Sequence, residues 1–128
     1  MKTLLKVGLL VLCMFSFPVY AKELPPPPQI IAQVDTSSRE WIKERISYYA
    51  SLYRVSEITM NIAVKCESQF HPNAVGDNGK SFGLVQIYLP AHPQISKEEA
   101  MDVDFALDFL AKNLKAGRSG MWTCLKNN

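Results

Sequence analysis

The sequence predicts a small, mainly α domain that carries one short β/loop segment. Three observations lead there. Apolar residues recur at helical spacing in three stretches between Ser37 and Leu114, each opened by a residue type that caps helices. Between the second and third stretches lies a run from Ser68 to about Ile87, rich in Gly, Asn and Asp, which suits turns and short strands. Finally, an export signal at the start would leave two of the three cysteines, an even number that an oxidising compartment would pair.

The chain begins with a short basic segment, Met1 to Lys6, and Val7 to Phe17 is almost wholly apolar. Pro18 breaks the run, and Val19 and Ala21 fall at the −3 and −1 positions of a cleavage site. Residues 1–21 therefore read as a secretory signal peptide, and the protein as exported to a periplasm or the outside. The apolar stretch is short for a bilayer span, so no stable membrane insertion is expected after cleavage. Leu12 before Cys13 is too large for a lipidation signal. Cleavage removes Lys2, Lys6 and Cys13, which takes the formal charge of +2 to neutrality. Nucleic acid is then not an expected partner. A bond between Cys66 and Cys124 would close a long loop, worth roughly 4 kcal/mol in the chain-entropy picture.

Residues 22–36 contain Pro25-Pro26-Pro27-Pro28, which admits neither helix nor central strand and predicts an extended linker. The domain proper is expected over 37–128. Ser37-Ser38-Arg39-Glu40 has the spacing of a capping box. After it, Ile42, Ile46, Tyr49 and Tyr53 form one apolar stripe, with Lys43, Glu44 and Arg54 away from it. A second helix is expected from Ser56, as N-cap, to about Glu67. Ser96-Lys97-Glu98-Glu99 offers a further capping box. Asp102 can cap a last helix bearing Phe105, Ala106, Phe109, Leu110 and Leu114, which Gly117 ends.

Glu67 stands out on the second helix. At about 100° per residue, Met60, Ala63 and Val64 surround its direction, while Asn61 and Lys65 lie nearly opposite. An acid on the apolar side loses water around its charge and sits at the negative end of the helix dipole. Both effects raise its pKa, desolvation more than the dipole. An acid that stays protonated near neutral pH can give its proton to a leaving oxygen, as glycosidic cleavage requires. The alternative is an acid at a frayed helix end that turns into water.

The residues that follow carry a resemblance. Glu67-Ser68, Phe70, Pro72-Asn73-Ala74-Val75 and Gly83-Leu84-Val85-Gln86 are similar to the catalytic segment of the lysozyme-like superfamily, in particular goose-type lysozymes and soluble lytic transglycosylases. The likeness covers roughly Ser56 to Leu114. It implies an α+β lysozyme-like fold, with the β/loop segment beside a catalytic cleft. The implied substrate is the glycan strand of peptidoglycan, cut between N-acetylmuramic acid and N-acetylglucosamine, with Glu67 as the acid. The same resemblance gives Gln86 and the backbone around Leu84 and Val85 the sugar's acetamido group. Gly83 would let substrate approach the main chain. Ser68 reads as a support for Glu67 or a cap for the helix end. Tyr88 and His92 fall on the substrate side.

Two reactions begin with the same protonation. A hydrolase uses a second carboxylate to handle water, for which Asp77 is the candidate. A lytic transglycosylase lets the muramyl 6-hydroxyl attack, with Glu67 taking that proton in turn. Asp77 is otherwise an Asx-turn residue closing the loop. The single secure acid and the short exported form favour the transglycosylase. A third possibility is a domain that binds glycan, or docks in an envelope or secretion assembly, without cutting. The chain departs from the transglycosylase pattern in lacking the later Tyr-Asn-x-Gly motif, in carrying Gly76 where many have serine, and in ending with Met121-Trp122-Thr123-Cys124. If Cys124 joins Cys66, Trp122 lies near Glu67 and either walls the cleft or fills the core. His71 receives no role, no cofactor is expected, and two histidines without a ligand-spaced cluster predict no metal.

Overall fold

Each of the four α-helices among the described residues starts where a short polar side chain takes up an orphan backbone N–H. The computed structural model describes residues 35–126, so the signal peptide (1–21), Cys13 and the linker up to residue 34 lie outside the described residues. Helix α1 (Arg39–Tyr53) opens at Ser38, whose Oγ accepts from the Trp41 N–H at 3.2 Å. The cap is one residue later than the expected box at Ser37. Ser37 instead donates its N–H and hydroxyl to the Asp35 carboxylate, at 3.0 and 2.6 Å, and so shapes the turn ahead of the helix. The expected stripe is realised: Ile42, Ile46 and Tyr49 are buried and Tyr53 packs against the core.

Helix α2 (Glu57–Ser68) is capped by Ser56, which accepts from the Thr59 N–H at 3.2 Å. It buries Met60, Ala63, Val64 and Ser68. Gln69 and Phe70 end it in left-handed backbone, with φ of 52° and 66°. Two consecutive non-glycine residues in that region turn the chain sharply away from the helix axis.

A three-stranded antiparallel sheet follows: β1 (Val75–Gly76), β2 (Ser81–Phe82) and β3 (Ile87–Tyr88), in that order. Val75 pairs with Phe82, and Phe82 with Ile87. Asp77, Asn78 and Gly79 make the first turn with positive φ throughout. Gly83 starts the second turn at φ 82°, and a Cβ there would stand 1.8 Å from the Ala100 carbonyl oxygen. Helix α3 (Lys97–Met101) thus packs backbone against backbone on the sheet, which only glycine allows.

The capping box at the start of α3 is formed, with Glu99 N–H to Ser96 Oγ at 3.1 Å and Ser96 N–H to Glu99 Oε2 at 2.8 Å. Asp102 ends α3 and caps α4 (Val103–Lys115), accepting from the Phe105 N–H at 2.8 Å. Ala106 and Leu110 are buried as expected, joined by Val103, Leu107 and Ala111; Phe105, Phe109 and Leu114 are only partly covered. The buried face is therefore rotated from the expected stripe, because α4 is covered by α1 on one side and α3 on the other. Gly117, at φ 73°, follows the helix end.

Two 3-10 turns, Ser119–Met121 and Thr123–Leu125, finish the described chain. The expected Cys66–Cys124 disulfide is present, with Cα atoms 6.3 Å apart, and it fixes the second turn against α2. Ile42, Ile46, Met60, Leu84, Leu107 and Leu110 are fully buried, each worth about 1.5–3 kcal/mol of apolar burial. The protein is mainly helical with a small antiparallel sheet, an α+β arrangement. Among the described residues no helix is long and apolar enough to cross a membrane.

Candidate active site

The last turn of α2 holds Glu67 half-buried, on the side of the helix that also carries Met60, Ala63 and Val64. Burial raises its carboxyl above the ordinary glutamate range, and the nearby Asp77 carboxylate raises it further. Asp77 is exposed at the head of the β1–β2 turn, where it accepts a short hydrogen bond from the Ser81 hydroxyl. Ser81 is itself 1% exposed, so the serine pins the carboxylate to the sheet. The turn is closed without that side chain: the Gly79 and Lys80 N–H groups donate to the Gly76 carbonyl at 3.0 and 3.1 Å. Asp77 is thus held across the hairpin, by a bond other than an Asx turn.

Ser68 lies buried behind the acid and donates its hydroxyl to the Val64 carbonyl at 3.1 Å, back along the helix. Its own carbonyl accepts from the His71 N–H at 3.0 Å, with His71 Nδ1 at the same distance. Ser68 therefore closes the helix end, and His71 braces it.

Gln86 sits at φ 50° and donates from Nε2 to the carbonyls of Gly83 and Ala74, at 3.0 and 3.2 Å. Its amide ties the second turn to the segment entering the sheet. A Cβ on Gly76 would stand 2.2 Å from Gln86 Oε1, so a serine at this position would push the amide out of these bonds. Leu84 and Val85 are 0% exposed as whole residues, backbone as well as side chain. The Val85 carbonyl accepts from the Trp122 indole N–H at 2.9 Å. Gly83 turns its bare face to Ala100, as described, so its glycine serves the packing of α3.

Trp122 is buried, yet one side of it faces a recess of about 200 Å³. Gln86, Tyr88 and His92 share that wall with Phe109 and Met121. His92 meets Phe109 edge-on at 5.2 Å, and Phe109 meets Trp122 in the same way at 6.3 Å. Tyr88 is 42% exposed and stands at the rim. Pockets for whole ligands run to roughly 300–1,000 Å³, so a space of this size takes one group of a larger ligand. Its walls are an apolar aromatic surface flanked by an amide, an imidazole and a phenol. Those groups suit a ligand with C–H faces and polar edges.

The site has two parts. Glu67 and Asp77 form a carboxyl pair, and Gln86, Tyr88, His92 and Trp122 gather around the recess; Glu67 is not one of the residues lining it. The Gln86–Ala74 hydrogen bond ties the recess to the chain that leads to Asp77, and the Cys66–Cys124 bridge ties the residue beside Glu67 to the segment that carries Trp122. Ser81 and Phe109 complete the site without having been expected there. Ser81 carries a sequence signal in its position four residues after Asp77 across a tight turn. Phe109 carries none, since an aromatic on a helix stripe reads as core. Among the described residues no group of His, Cys, Asp and Glu is arranged to hold a metal ion. Comparison with protein-family models, with curated proteins and with solved structures finds no match in any of the three.

Proposed function

We propose that this protein is an exported enzyme that cuts the β-1,4 bond between N-acetylmuramic acid and N-acetylglucosamine in peptidoglycan, as a lytic transglycosylase on a lysozyme-like fold. Glu67 gives its proton to the glycosidic oxygen as the bond from C1 breaks. The muramyl 6-hydroxyl then attacks C1, the Glu67 carboxylate takes the hydroxyl proton, and a 1,6-anhydro end results with no water consumed. The observation that carries the reading is the state of Glu67: half-buried, raised by burial, and raised again by Asp77. An ordinary surface glutamate would reach the sugar already ionised and could donate nothing. The aromatic recess supports the same reading as a place for one saccharide ring to lie.

A second reading has an observation of its own. Asp77 is pinned by Ser81 within electrostatic reach of Glu67. A fixed second carboxylate is what a hydrolytic muramidase needs to handle water. Zymography on purified peptidoglycan tests the first premise. Glu67→Gln is expected to lower clearing by at least about a hundredfold, the contribution of a general acid. Equal clearing by both proteins removes Glu67 from its role. Mass spectrometry of the released fragments then divides the readings, since anhydro ends are lighter than hydrolysed ends by one water. Wild-type protein that pulls down with peptidoglycan but clears none of it is a glycan binder instead.

A further inference from the structure

Among the described residues, segment 119–126 is tied to the rest of the domain mainly through side chains. Its backbone hydrogen bonds are local: Met121 N–H to Arg118, Trp122 to Ser119, Leu125 to Trp122 and Lys126 to Thr123. What ties it to the body is the burial of Trp122 and Leu125, the indole N–H on the Val85 carbonyl, and the Cys66–Cys124 bridge. The bridge starts at the residue next to Glu67, and Cys66 is exposed. The indole ends on the turn that presents Gln86 to the recess.

From this arrangement we infer that Trp122 is a positioning residue for the Val85–Gln86 turn, and that the Cys66–Cys124 bridge makes this positioning conditional on oxidation. The glycan-binding half of the site is held together throughout only after export. The inference rests on the proposed function for its consequence, but not for its mechanics. In a reducing compartment the two thiols are free, segment 119–126 is held by two apolar side chains and one hydrogen bond, and it detaches part of the time. Detachment removes one wall of the recess and leaves the Val85 carbonyl unpaired, which loosens the turn. On export, a disulfide-bearing oxidant takes two electrons and two protons from the thiols, becomes a dithiol, and leaves the bridge behind. A wall-cutting site would thus stay incomplete inside the cell that makes it.

Hydrogen exchange on the exported protein, read residue by residue, tests the mechanics. One sample is oxidised with glutathione disulfide and another reduced with dithiothreitol. Reduction is expected to speed exchange by at least about tenfold, the factor carried by one buried hydrogen bond, at Gln86 and Trp122. The amides of α1 and α4 should keep their protection. Unchanged exchange at Gln86, or a loss of protection throughout the molecule, overturns the inference. The second outcome makes the bridge a general staple and no local latch.

Trp122→Phe provides an independent arm, because it keeps an aromatic ring and the bridge but loses the indole donor. Its expected signature on glycan strands is a KM raised about tenfold with kcat within about twofold, the pattern of lost binding without lost chemistry. A fall in kcat alone, at unchanged KM, counts against positioning. Should the turn loosen on reduction while the oxidised protein clears no peptidoglycan, the latch stands and the proposed activity falls.

Discussion

The helical body and the sheet-side half of this molecule share one apolar core but differ in what fixes the backbone around it. In α1, α2 and α4 the order comes from apolar burial at helical period: Ile42, Ile46, Met60, Leu107 and Leu110 lie fully inside. The half from Ala74 to His92, with 119–126 against it, has few regular elements and many particular bonds. Gln86 ties two carbonyls, Trp122 a third, and Ser81 the Asp77 carboxylate. Asp77, Asn78, Gly79, Gly83 and Gln86 all stand at positive φ there. Burial tolerates exchange of one apolar side chain for another, whereas directional bonds and left-handed backbone do not. The body is a scaffold that many sequences would build, and the site is written on the part that few would.

Changes in each half should therefore fail in different ways. Leu107→Ala, in the body, is expected to cost about 2–5 kcal/mol of stability through a cavity. It should leave the pH dependence of activity where it was. Denaturant unfolding followed beside a pH–rate profile checks both halves of that statement. A profile that moves with the cavity would mean that the body and the site are not separable.

Gly83→Ala attacks the other half. The left-handed φ of 82° costs an alanine about 1–2 kcal/mol, and its methyl would meet the Ala100 carbonyl. Relief requires α3 or the Gly83–Gln86 turn to move, so the expected total is about 2 kcal/mol or more. Unlike the core change, it should reach the recess and weaken glycan binding at temperatures where the fold is intact. Ligand titration well below the melting point reads that effect. Unaltered affinity would show that α3 yields and the turn does not.

The same division explains what could be read from the amino-acid sequence. The helices announce themselves, because stripes such as Ile42–Ile46–Tyr49 and caps such as Ser56, Ser96 and Asp102 are local patterns. The cap at Ser38 in place of Ser37 and the rotated face of α4 are errors of one position, decided by neighbours that a local pattern does not see. The Cys66–Cys124 pairing is legible once a signal peptide is expected, since its removal would leave an even pair. In the candidate site, the environment of Glu67 follows from its helix face, but the effect of Asp77 on it depends on how the hairpin folds back. The contact of Gly83 with the Ala100 carbonyl is not legible in sequence, since it depends on how α3 packs against the second turn. The gathering of Phe109 with His92 and Trp122 is invisible in sequence, since it joins α4, the chain after β3 and the C-terminal turns.

The smallest effect expected is also the most direct probe of where the two halves meet, and it concerns stability. Folding raises the Glu67 carboxyl, through burial first and Asp77 second. Between the ordinary glutamate pKa and the raised one, the native protein therefore keeps a proton that the unfolded chain has lost. Stability falls as pH rises through that window and is level on either side of it, because the slope follows the excess of protons bound by the unfolded state, here negative. A glutamine at this position cannot ionise. Glu67→Gln should accordingly melt higher than wild type at neutral pH, and the gap should close below the ordinary glutamate pKa. The size is held down by water at the half-buried carboxyl, which screens both causes. Melting temperatures of the two proteins across an acid-to-neutral series measure it. A gap that is constant with pH, or that opens on the acid side, would mean that the fold does not hold this carboxyl in its protonated form, and the proton for the leaving oxygen would have to come from elsewhere.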